Sequence, residues 1–139
     1  MLQALFIINP KAGRGAAQRT WKRIERLVAG QRQYEAVIPS SVQETRSLAA
    51  EAARSGTPRV VVLGGDGTLD IVAGELVGSD TSLGVIPSGT GNDFCKTAGV
   101  PKDPVAALQI ALGPHTKRVD LGLAAGRHPF LNVGGVGFD

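Results

Sequence analysis

The stretch RVVVLGGDGTLDIVAGEL, residues 59–76, constrains the fold more than any other part of the chain. After Arg59, VVVL is an unbroken apolar run. Such a run reads as a strand covered on both faces, and so as part of a parallel sheet sandwiched between helices. Three glycines and an aspartate follow it. Then Leu69, Val72, Ala73, Leu76 and Val77 recur at helical spacing, which places a helix start near Leu69 and a stop at Gly78. Glycine weakens strand and helix alike, so a turn built from it must require the absence of a side chain.

The same alternation runs through the chain. Residues 2–9 read as a buried strand closed at Asn-Pro. Residues 15–29 follow helical spacing, with Trp21, Ile24, Leu27 and Val28 on one face and Gly30 as the stop. Residues 34–38 form a second strand, ended by Pro39. Ser41 and Glu44 have the form of a capping box, ahead of a stripe of Val42, Thr45, Leu48, Ala49 and Ala52. Residues 82–86 read as a fourth strand, and residues 91–97 and 104–112 as helices. This order predicts an α/β fold for residues 1–120: a three-layer, open parallel sheet with helices on both faces. Residues 119–125 and 130–138 read as consecutive strands. Residues 121–139 are therefore expected to open a second, β-rich domain, and one cut short, because the sequence stops inside a glycine-rich strand.

In open parallel sheets, ligands sit at the carboxyl ends of the strands. Three unusual turns fall there: NPKAG at 9–13, GGDGT at 64–68 and PSGTGND at 87–93. Glycines let backbone N–H groups approach a ligand together, and such concave arrays bind anions, phosphate above all. Asp66 departs from that pattern, since a carboxylate repels phosphate. It fits if it holds Mg²⁺, accepts a proton from an attacking hydroxyl, or stabilises the turn; the spacing leaves these readings open.

Charge and composition narrow the classes. The net charge of +3 is local: Lys11, Arg14, Arg19, Lys22, Arg23, Arg26 and Arg32 face a single Glu25 within residues 1–32. A basic face suits phosphates or an anionic membrane, although each residue singly reads as part of a solvated helix face. Four Phe, one Tyr and one Trp give no interleaved aromatic platform, so nucleic acid is not expected as a partner. The single cysteine, Cys95, excludes a disulfide framework and reads as a small buried apolar residue. No signal peptide and no apolar run of membrane-spanning length is seen, which suggests a cytoplasmic protein, with peripheral membrane contact allowed. The patterns GxxxxGK[ST], GxGxxG after a strand and GxSxG are missing. His115 and His128 are read as structural or solvated. Thr68, Ser88 and Thr90 read as hydrogen-bonding residues of the turns or of a phosphate site.

NPKAG, GGDGTL, GVIPSGTGNDF, VDLG and FLNVGGVGFD match, in order, the pattern of the diacylglycerol kinase catalytic-domain family. The chain resembles its soluble bacterial lipid kinases, with sphingosine and ceramide kinases as relatives. GGDGT alone also resembles NAD kinases and phosphofructokinases; GTGNDF with an Asn-Pro turn is far more specific. The resemblance implies ATP-dependent phosphorylation of a lipid hydroxyl such as that of diacylglycerol, with ATP and Mg²⁺ as cofactors. It implies that Asn9, Pro10, Lys11, Gly13, Ser40, Gly64, Gly65, Asp66, Gly67, Thr68, Thr90 and Gly91 bind nucleotide, and that Asn92 and Asp93 brace their loop. Asp66 would be the catalytic carboxylate, assisting the acceptor hydroxyl or organising Mg²⁺. Partners would be ATP, the lipid, a membrane surface transiently, and a second copy in a homodimer. Asp70-Ile71 stands where many members have Asn-Glu, and Cys95-Lys96 where many have Ala-Arg. Members carry an essential aspartate and much of the lipid pocket in their second domain, so residues 1–139 alone are expected to be inactive. The alternatives are an NAD kinase-like enzyme and a non-catalytic nucleotide-binding or regulatory module.

Overall fold

The computed structural model describes residues 2–88, 93–116, 121–124 and 128–131. Its elements in chain order are β1 (Ala4–Ile8), α1 (Ala16–Ile24), β2 (Tyr34–Val37), α2 (Val42–Arg54), β3 (Arg59–Gly64), α3 (Asp66–Leu76), β4 (Ser82–Pro87), α4 (Asp93–Ala98), α5 (Pro104–Leu112), β5 (Leu121–Ala124) and β6 (His128–Leu131). The first four strands form one parallel sheet in the order β2-β1-β3-β4. Strands β5 and β6 form a separate antiparallel pair.

The apolar runs behave as strands buried on both sides must. Successive side chains of β1 point to opposite faces. Leu5 and Ile7 join Val60, Val62 and Val85 beneath α2, α3 and α4. Ala4, Phe6 and Ile8 join Val61, Leu63 and Ile86 beneath α1 and α5. This is the expected three-layer arrangement. Phe6 is fully buried, with its ring centroid 5.3 Å from that of Trp21 and 6.1 Å from that of Tyr34. Burying an aromatic of that size stabilises the fold by about 2–3 kcal/mol. The Trp21 ring therefore serves the core.

Several local expectations are corrected. The helix predicted over 15–29 ends at Ile24, and Glu25–Leu27 tighten into a 3₁₀ turn. Three residues per turn in place of 3.6 shifts the phase of the side chains. Val28 stays buried, whereas Leu27 is exposed. Val42 and Val77, assigned to apolar stripes, are also exposed, each at the end of its helix. The capping box is half made: Ser41 Oγ accepts from the Glu44 N–H, but the Glu44 carboxylate accepts from the N–H of Ser40 rather than Ser41. Helix α3 starts at Asp66, three residues before Leu69. A first helical turn has no intrahelical acceptors for its N–H groups, so its glycines lie where helix propensity matters least. The strand predicted at 130–138 begins at His128, and 132–138 lie outside the described residues.

Candidate nucleotide-phosphate site

The order β2-β1-β3-β4 has its switch point between β1 and β3: the chain leaves β1 toward one side and β3 toward the other. A crevice at the carboxyl ends of such strands is the usual ligand position. The two loops that leave there are joined directly. Asn9 Nδ2 donates to Thr68 Oγ1 at 2.6 Å, across 59 positions of sequence. The Asn9 N–H donates to the Leu63 carbonyl at 2.9 Å, extending the ladder past the strand end. Its side-chain Oδ1 accepts the Lys11 N–H at 3.0 Å, closing an Asx turn.

Asp66 reaches the start of α4, the helix that follows the third turn. Its Oδ1 accepts the Phe94 N–H of α4 at 3.3 Å. Gly64 pairs in register with Pro87 at the end of β4. Ser88, buried just beyond, donates to the Ile86 carbonyl at 3.2 Å. The segments starting at Asn9, Gly64 and Pro87 thus share one edge of the sheet.

The two glycine turns differ in backbone. After β1, Lys11 leads into a 3₁₀ turn, Ala12–Arg14, in which Gly13 (φ 56°), Arg14 (φ 55°) and the following Gly15 (φ 88°) are left-handed. Arg14 is the one non-glycine residue with positive φ among those described. A residue with a Cβ pays for that conformation, and such strain clusters at ligand sites. After β3 the backbone stays in ordinary space: Gly65 caps α3 at φ −92°, ψ −175°, and provides no side-chain cap. Among the described residues, a Cβ built on Gly65 or Gly67 would meet nothing within 4 Å. The helix thus presents its positive end at the sheet edge.

Of the remaining candidates, Pro10 begins the first loop. Ser40 lies at the same edge beyond β2, its hydroxyl donating to Glu44 Oε2 at 3.3 Å. Thr90, Gly91, Asn92 and the side chain of Asp93 lie outside the described residues. Cys95 is buried beneath the rim. Burial, and then the charge of Asp66, push its thiol up to about 12. A groove of about 350 Å³ lies instead by the start of β1 and the end of α2. Its charged lining groups, Glu35 and Glu51, are acidic and unsuited to phosphate. The role of Phe94 was invisible in sequence, because a backbone donor leaves no residue signature.

A family profile described as "Diacylglycerol kinase catalytic domain" matches residues 3–124. The chain belongs to that family. A Mycobacterium tuberculosis (strain ATCC 25618 / H37Rv) protein named "Diacylglycerol kinase" is 37% identical over 118 residues, covering 84% of this chain and 38% of that protein. A Chromohalobacter salexigens protein named "Probable lipid kinase YegS-like" is 41% identical over 95 residues, 66% of this chain and 30% of that one. The crystal structure of a diacylglycerol kinase from Bacillus anthracis str. Sterne superimposes with a TM-score of 0.75 at 30% identity, covering 91% of this chain and 45% of that chain. The chain therefore spans less than half the length of these family members. Among the described residues, no helix is long and apolar enough to cross a membrane.

Proposed function

We propose that this chain is the nucleotide-binding part of an ATP-dependent lipid kinase that moves the γ-phosphate of ATP to a hydroxyl of diacylglycerol or a related lipid. The observation that carries this reading is the junction of the Asn9 turn, the Gly64 turn and the start of α4 at one sheet edge, through Asn9–Thr68 and Asp66–Phe94. Phosphoryl transfer asks mainly for positioning and for neutralisation of spreading negative charge. The first turn of α3 and the turn at Ala12–Arg14 supply N–H groups, and the exposed Lys11 and Arg14 supply cations. Asp66 is the carboxylate assigned to the acceptor's proton or to a metal.

Among the described residues, no three His, Cys, Asp or Glu side chains gather into a metal cage. That fits Mg²⁺, which is commonly held by one or two carboxylates together with substrate phosphates. Asp66, and Asp70 one helical turn on, would hold it, and the ion would add positive charge beside the phosphates.

Residues 1–120 would form the nucleotide domain, and residues 121–139 would begin a second, β-rich one; the antiparallel β5–β6 pair supports the division. The exposed cations Arg19, Lys22 and Arg23 of α1 support transient contact with an anionic membrane. The 139 residues alone are expected to bind nucleotide without transferring phosphate.

Calorimetric titration with MgATP tests the first half of this reading, and absence of binding would sink it. In a protein of the relatives' length, Asp66→Ala should lower kcat by about 10² to 10⁴-fold. An unchanged kcat removes Asp66 from the chemistry. Offering NAD and diacylglycerol together in a phosphate-transfer assay separates lipid kinase from NAD kinase chemistry.

A further inference from the structure

We infer that Asn9, Gly64 and Thr68 form a strut that positions the phosphate rim, rather than three separate nucleotide contacts; this rests on reading the rim as a nucleotide site. The carboxamide of Asn9 is held at both ends by protein groups: Nδ2 donates to Thr68 Oγ1 at 2.6 Å, and Oδ1 accepts the Lys11 N–H at 3.0 Å. Thr68 is buried. The strut crosses directly over Gly64. A Cβ at that position would lie 3.3 Å from Asn9 Cβ, Thr68 Cβ and Thr68 Oγ1.

The glycines of GGDG therefore have two different jobs. Gly64 lacks a side chain so that Asn9 can reach Thr68. A Cβ on Gly65 or Gly67 would meet nothing within 4 Å among the described residues, so neither faces that demand from them. Because the strut also grips the Lys11 N–H, it sets the distance between the Ala12–Arg14 turn and the first turn of α3. A polyphosphate touching both loops binds more tightly when that spacing exists beforehand, since less ordering is left to do on binding. Asn9 and Thr68 are positioning residues in this arrangement.

A double-mutant cycle on the 139-residue chain tests it, using Asn9→Ala, Thr68→Val and the pair, with thermal melts without nucleotide and calorimetry with MgATP. The strut predicts that each single variant and the double weaken MgATP binding by the same factor, about tenfold. Melting temperatures fall non-additively in the same set, and Thr68→Ser, which keeps the hydroxyl, retains wild-type affinity. Separate nucleotide contacts predict that the losses multiply to about a hundredfold in the double variant while the nucleotide-free melts stay put, and that result would overturn the inference. If the wild-type chain binds no MgATP, the nucleotide reading and the positioning role fall together. Non-additive melts would then retain the strut only as a brace of the fold.

Discussion

Two glycine loops face one another across the sheet edge, and they are built on opposite principles. Residues 11–15, after β1, depend on left-handed backbone at Gly13, Arg14 and Gly15 and lie largely exposed. Residues 64–68, from the last residue of β3, have no positive φ and pass at once into a helix. In the first loop glycine supplies conformational freedom; in the second it supplies room. The contrast shows that similar glycine clusters answer different demands, and that only the second is braced by a side chain from the other.

The sharpest way to break this comparison is Gly64→Ala. The added methyl must displace Asn9 or Thr68, so stability should fall by about 1–3 kcal/mol, read from urea midpoints. An unchanged midpoint would mean that the strut yields easily. Gly15→Ala, which forces a Cβ to φ 88°, should cost about 1–2 kcal/mol by the same measurement. Here the loss comes from backbone strain, and Gly15→Asn, better tolerated in that region, should recover part of it.

Gly67→Ala sharpens the other side. It lies in a helix, and a Cβ there would meet nothing within 4 Å among the described residues, so stability should stay level or rise by up to about 1 kcal/mol. MgATP affinity should nevertheless fall about tenfold if that space belongs to the ligand. Retained affinity would refute a close approach at Gly67.

The smallest effect concerns the floor beneath the rim. The Cys95 thiol is raised from its ordinary value of 9.0 to about 12, so the folded chain keeps a proton that the unfolded chain releases. The stabilisation is fully present below pH 9 and is lost as pH rises toward 12, with a slope of at most about 1.4 kcal/mol per pH unit. Urea midpoints at pH 9 and 10 should therefore drop more in the wild type than in Cys95→Ala. Equal drops would mean that water reaches the thiol.

The sequence by itself determined the layers of this protein. Unbroken apolar runs at 4–8 and 60–63 can be satisfied only by cover on both faces, and helical stripes between the strands provide that cover. It also put Asn9, Gly64 and Thr68 at one edge of the sheet, because strands that alternate with helices run parallel and end together. What it could not show was the division of labour among them. Asn9 and Thr68 stand 59 positions apart, and no periodicity links them. Asp66 reaches a backbone N–H that any residue at 94 would offer. Local pattern governs which face a side chain takes, since that depends on the residue's own neighbours along the chain. Which polar groups meet depends on strand order and register, and those exist only once the sheet has closed around its core.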